Sequence, residues 1–151
     1  MRTLFVASFL LVSCIILSGC TPKNNQTTMV EELAEEVPVL TGSWQIEDIN
    51  QQGVMDFSVI TMQFSEQNRI TGSTGCNRYM ADVQTENQSF IVSKAAVTKR
   101  ACIPAIGEQE HRFLVALEEA ARYEIQADTW LIIYDGADQP RLKMILQEPQ
   151  N

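Results

Sequence analysis

The chain has a single histidine, His111. That leaves no spare imidazole for a Ser–His–Asp set once any other role is assigned, and no histidine cluster for a metal. It has four cysteines but no Cys-x-x-Cys pair, so a zinc ribbon or knuckle is poorly supported. No nucleophile-elbow pattern occurs. Gly72-Ser73-Thr74-Gly75 is the one loop that invites a phosphate-cradle reading. It lacks the lysine and trailing hydroxyl of a P-loop, and no clear helix follows, so a glycine-permitted bulge or turn presenting Cys76 is the better reading. Asn77 is expected to bond backbone within that same turn. There is no Lys/Arg-rich run, and eleven cations face nineteen carboxylates. A surface this acidic repels nucleic acid and anionic membrane faces, so no nucleic-acid partner is expected.

The first segment reads differently from the rest. Arg2 gives a positive start, and Leu4 to Leu17 is apolar except for Ser8 and Ser13. The run is short of the roughly 20 residues of a membrane span. It ends in small residues and Leu17-Ser18-Gly19-Cys20, the shape of a secretory signal. The four closing residues resemble a bacterial lipobox. That resemblance implies a signal peptide over 1–19, removed as Cys20 is diacylated. The alternative is an uncleaved N-terminal anchor helix. With Arg2 gone, ten cations oppose nineteen carboxylates, a net charge of −9. Acylation buries many methylenes at about 0.8 kcal/mol each, so anchoring through Cys20 would be stable. Thr21 rather than Asp follows Cys20; in enterobacteria-like sorting this favours the outer membrane, facing the periplasm.

Cys76 and Cys102 then remain, in a chain sent to an oxidising compartment. They are expected to form a disulfide, worth about 3.5 kcal/mol in the chain-entropy model. Two free thiols, one of them reactive, are the competing reading. A Cys102–His111 dyad with Lys99 and Arg100 lowering the thiol pKa is a weaker third.

Residues 20–40 read as a lipid-anchored flexible tether, polar at first and then rich in Glu31, Glu32, Glu35 and Glu36. It spans roughly 25 Å as a coil. Met29, Val30, Leu33 and Val37 also permit a short helix up to Pro38. The folded domain covers 41–147, and 148–151 form a tail. Alternation predicts a strand over 43–49, with Trp44, Ile46 and Asp48 on one face. Further strands are expected at 59–64, 69–72, 79–83, 89–92, 95–100, 130–134 and 141–146. One helix is expected over about 104–121. Pro104 opens it, Glu108 and Glu110 complement its dipole, and Ile106, Phe113, Leu114, Leu117 and Ala121 form its stripe. Glu110 shares that stripe and is expected to seek a cation. Trp44, Phe64, Phe90, Phe113 and Trp130 are assigned to the core. The fold class is α+β, a curved antiparallel, partly barrel-like sheet with one packed helix.

These residues resemble the META domain, also called HslJ-like, of bacterial envelope lipoproteins. Leu40-Thr41-Gly42-Ser43-Trp44 is similar to the family's opening strand. Gly72-Ser73-Thr74-Gly75-Cys76-Asn77-Arg78-Tyr79 carries its Gly-x-x-Gly-Cys-Asn core without departure. Thr98-Lys99-Arg100-Ala101-Cys102 matches a second block, with Arg100 where the family has Met. The resemblance implies a barrel-like sheet with a packed helix and envelope or stress-related associations. It implies no catalytic residues and no cofactor.

The expected function is therefore a non-enzymatic, lipid-anchored cell-envelope module with an interaction or stress-tolerance role. Its partners would be the membrane, through Cys20, and an envelope protein or hydrophobic ligand. A carrier holding a hydrophobic ligand between sheet and helix is the alternative; a thiol-dependent enzyme is a third. Arg78, Lys99 and Arg100 are expected near one another once Cys76 and Cys102 are bridged. They would either form an anion or interaction patch or, the favoured reading, neutralise Glu108 and Glu110.

Overall fold

The computed structural model describes residues 40–148. The signal segment, Cys20, almost all of the tether and the last three residues lie outside the described residues.

The strands follow the apolar alternation closely. β1 (Ser43–Ile49) turns through β2 (Gln52–Gly53), which pairs back on it. β3 (Thr61–Ser65), β4 (Arg69–Ser73) and β5 (Arg78–Gln84) form an antiparallel meander. Two short strands, β6 (Ile91–Val92) and β7 (Ala96–Val97), both pair with β5. Helix α1 (Pro104–Glu118) follows, and β8 (Ala120–Gln126), β9 (Trp130–Asp135) and β10 (Pro140–Gln147) end the domain. The order across the sheet is β6-β5-β4-β3-β1-β10-β9-β8, antiparallel throughout. The two ends of this order nearly meet. Phe90 N–H donates to the Ala121 carbonyl at 2.9 Å, and Ser89 bridges Arg122. The result is an α+β, nearly closed barrel-like sheet with one helix.

Four elements depart from the sequence expectation. In β1 the register shifts between Ile46 and Asp48 opposite β10. This bulge turns Ile49 into the core, fully buried, in place of Asp48. The helix ends at Glu118, not 121, and the chain passes at once into β8, which the helical stripe had hidden. Ala120, Ala121, Arg122 and Glu124 favour a helix locally. Pairing with β9 and the burial of Tyr123 override that preference. The strand expected over 95–100 pairs only at Ala96–Val97; beyond Thr98 the chain is captured by side chains, as described below. Trp130 is not core: it is half-buried at the surface, with the Lys143 ammonium 4.1 Å from its ring.

The barrel interior is filled by side chains. Trp44, Ile46, Met62, Ile70, Phe90, Tyr123, Leu131, Ile133, Leu142 and Met144 are buried, with Phe113 and Leu117 of α1 inserted against them. Phe113 meets Tyr79 edge-to-face at 5.2 Å, and Phe90 contacts both Phe64 and Tyr123 in the same manner. Half-buried Phe64 thus packs against the core rather than within it.

Candidate functional site: three loops braced at the start of the helix

Three loops converge on the first two turns of α1: residues 54–59, 74–77 and 98–103. Each is tied there by a buried polar side chain. Gln109 is fully buried on a face otherwise lined by Phe113, Ala116 and Leu117. Its Oε1 accepts from Met55 N–H at 2.8 Å, and its Nε2 donates to Ser58 Oγ at 3.0 Å. The loop before β3 is therefore clamped at both shoulders.

The glycine pair of the second loop is set by close packing. A Cβ on Gly72 would lie 1.9 Å from the Thr61 carbonyl oxygen, which is ladder backbone and cannot yield. Gly75 has φ +91°, and its Cβ would meet Ser58 Oγ at 2.2 Å. Next to them, Thr74 and Asn77 are buried and close a tight turn. Thr74 N–H donates to the Asn77 carbonyl at 2.8 Å, and Asn77 N–H donates to Thr74 Oγ1 at 2.9 Å.

The Asn77 side chain does not stay within that turn, as the sequence reading expected. Its Oδ1 accepts from Thr98 Oγ1 at 3.0 Å and from Arg100 N–H at 2.8 Å. Its Nδ2 donates to both Glu110 oxygens, at 3.0 and 2.9 Å, and lies 3.8 Å from Cys102 Sγ. One amide thus joins the second loop, the third loop and the helix. The full donor and acceptor capacity of an amide is used, and no buried side-chain polar atom among the described residues lacks a partner.

Cys76 and Cys102 are joined in a disulfide beside Asn77, with Cα atoms 6.1 Å apart. The Cys102–His111 dyad is therefore not formed: Cys102 is bonded to Cys76, and His111 is exposed. Glu110 does not take the cation the sequence suggested. Its carboxylate is held by Asn77 Nδ2 and by the Thr74 hydroxyl, both neutral. Arg78, Lys99 and Arg100 are indeed brought to this cluster, since Thr98 N–H pairs with the Arg78 carbonyl at 3.0 Å and Arg100 N–H is fixed by Asn77. All three side chains are exposed. Among the described residues none of them forms a salt bridge, so the neutralising role favoured from sequence is not what they do.

Below the brace, Tyr79 is buried and donates its hydroxyl to the Thr61 carbonyl at 3.0 Å. Burial pushes its phenol well above the usual tyrosine range, so it stays neutral. Gln109 and Ser58 were not singled out from sequence, and Thr98 only as the first residue of the second motif block. A lone glutamine on an apolar stripe is the only hint that pointed to the clamp.

The META domain model matches residues 37–148, the whole described region included. The chain belongs to the META domain family. Solved structures share its fold. One, a protein from Burkholderia xenovorans solved by NMR, is 20% identical, with a TM-score of 0.58 over 72% of this chain and 83% of its own. A second NMR structure is 24% identical, with a TM-score of 0.56 over 70% and 88% of the two chains. A DUF4847 family protein from Bacteroides vulgatus is 12% identical, with a TM-score of 0.54 over 73% and 95%. No curated protein matches the chain in sequence. In this META domain, then, the signature residues Gly72, Gly75, Cys76, Asn77 and Cys102 serve as a cross-brace between loops and helix.

Proposed function

We propose that this META domain protein is a non-enzymatic, lipid-anchored module of the bacterial cell envelope that acts through its surface. One observation carries the reading. The sulfur, carboxylate and amide groups that converge on this site are engaged in the brace: both sulfurs bonded together, the Glu110 carboxylate on Thr74 and Asn77, and Asn77 satisfied at both ends. A rigid scaffold with its reactive groups spoken for fits an interaction role better than a turnover cycle, which needs a free nucleophile or a proton-transfer pair. The Leu17-Ser18-Gly19-Cys20 signal supports anchoring through an acylated Cys20, in the outer membrane and facing the periplasm.

The test is the N-terminal peptide of the membrane-bound protein. Mass spectrometry should find Cys20 as the first residue, carrying acyl chains, and Cys20→Ser should release the protein from membranes washed with high salt and carbonate. An intact signal segment, or a Cys20→Ser variant still held on membranes after those washes, would overturn the anchoring.

A carrier of a small hydrophobic ligand is the second reading. An apolar groove of about 150 Å³ between Val92, Ala95, Val97 and helix residues Leu114 and Leu117 favours it. Ligand sites more often measure about 300 Å³ or more, and here the barrel interior is already filled. Native mass spectrometry of residues 41–151 separates the two readings: a releasable extra mass favours the carrier, a bare polypeptide the interaction module.

A further inference from the structure

The braced loops also hold the most exposed large apolar side chains of the described residues. Phe57 is 71% exposed and Ile103 57%. Neither sits on a slack segment. Phe57 tips a turn whose Ser58 N–H bonds the Met55 carbonyl at 2.9 Å, with both shoulders clamped by Gln109. Ile103 lies between the disulfide and Pro104, and its carbonyl accepts from Gly107 N–H at 3.1 Å. Such a surface is ordered before it meets anything, so docking costs little further loop entropy.

Lys99 and Arg100 stand on the third of these loops, and Arg78 opens β5 directly after the second, its carbonyl bonded by Thr98 N–H. Elsewhere in the domain the arginines are occupied: Arg69 by Asp82, Arg112 by Gln52, Arg122 by Asp138, Arg141 by Asp135 and Glu119. Among the described residues Arg78 and Arg100 have no such side-chain partner. The carboxylates on the same loops and on the facing helix turns are Asp56, Glu108 and Glu110, the last held by Thr74 and Asn77; His111 is exposed beside them. An unpaired cationic cluster with two projecting apolar side chains calls for a partner that is anionic and partly apolar. The apolar groups protrude. A rigid protein would need a matching pocket for each, whereas a lipid interface conforms to them.

We propose that this loop cluster docks on anionic phospholipid, with Phe57 and Ile103 entering the headgroup region and Arg78, Lys99 and Arg100 meeting phosphates. The surface deepens the anchored reading above, since a tether of about twenty residues would keep the domain within reach of a bilayer. The net negative charge of the chain does not forbid the contact. Screening acts over about 8 Å at physiological salt, so headgroups respond to the docked loops rather than to the chain total. Aromatic and aliphatic side chains at headgroup depth, flanked by cations, are the chemistry of interfacial binding.

The experiment uses the mature chain carrying Cys20→Ser, so that no acyl chain contributes. It is mixed with vesicles of phosphatidylcholine alone or of phosphatidylcholine with phosphatidylglycerol, and the bound fraction is measured by co-sedimentation. Binding to the anionic vesicles, weakened by salt and at least tenfold weaker on phosphatidylcholine alone, is expected. Replacing Arg78, Lys99 and Arg100 together by glutamine should weaken it about a hundredfold, and Phe57→Ser should weaken it about tenfold. All four side chains are exposed, so melting temperature and circular dichroism should hold and show that the variants fold. No binding to either vesicle, equal binding to both, or binding indifferent to these substitutions overturns the docking surface. Acylation of Cys20 is read separately in the wild-type chain. An acylated protein whose Cys20→Ser form ignores anionic vesicles retains the anchor and loses the docking surface; an unacylated chain that binds them does the reverse.

Discussion

Asn77 is the residue on which the brace turns. It satisfies Arg100 N–H, the Thr98 hydroxyl and the Glu110 carboxylate together. Asn77→Ala leaves a backbone donor and a half-buried carboxylate short of partners and should cost about 3 kcal/mol, read as the shift of a denaturant midpoint. Gly75→Ala should also destabilise, through its positive φ and the Ser58 hydroxyl in its path. Asp135 contributes to the acid limb. Its carboxylate lies below the usual aspartate range, held first by Gln139 N–H and also by Ala137 N–H and Arg141. A depressed folded pKa stabilises above the unfolded value, near pH 4, and that contribution is lost as pH falls through the folded value. Melting temperature measured across this range should therefore fall less steeply in Asp135→Asn. At this scale the sequence was legible where a residue type admits few uses: the two cysteines of the folded domain, and glycines before a cysteine. The targets of Asn77 were not legible, because an amide's partners lie 21 to 33 residues away and nothing local selects them.

Among the elements, the strands read from period-2 alternation were the secure part. The errors fell where pairing overrode a local tendency. The Ala-Ala-Arg-Tyr-Glu stretch continues a helical pattern, yet β9 was waiting to pair with it. Asp48 continued an alternation that a bulge then broke. Gly72 shows how tight that pairing is. Gly72→Ala forces β3 and β4 apart, and we expect it to abolish folding, seen as loss of the far-ultraviolet circular dichroism of the sheet. Gln109 couples the helix to the loop before β3. Gln109→Leu would leave Met55 N–H and Ser58 Oγ without their partner, at about 2–3 kcal/mol. Limited proteolysis should then cut first within residues 54–59; an unchanged cleavage pattern would mean the clamp does not order that loop.

For the molecule as a whole, the disulfide and the Asn77 network are parallel ties between the same two loops. Replacing Cys76 and Cys102 by serine should cost about 3.5 kcal/mol. The domain should nevertheless still fold, because its core and the Asn77 bonds do not depend on sulfur. A double variant that is unfolded at neutral pH would show that the disulfide is required. By itself the sequence determined the apolar alternation of the sheet, the helix start at Pro104, the family, and which two cysteines were available to each other, because each rests on near neighbours or on an ordered set of motifs. Only the tertiary structure decided where α1 stops, what Glu110 bonds, and that among the described residues Arg78, Lys99 and Arg100 form no salt bridge. Those outcomes depend on which distant segments reach the same few ångströms, and no local spacing encodes that.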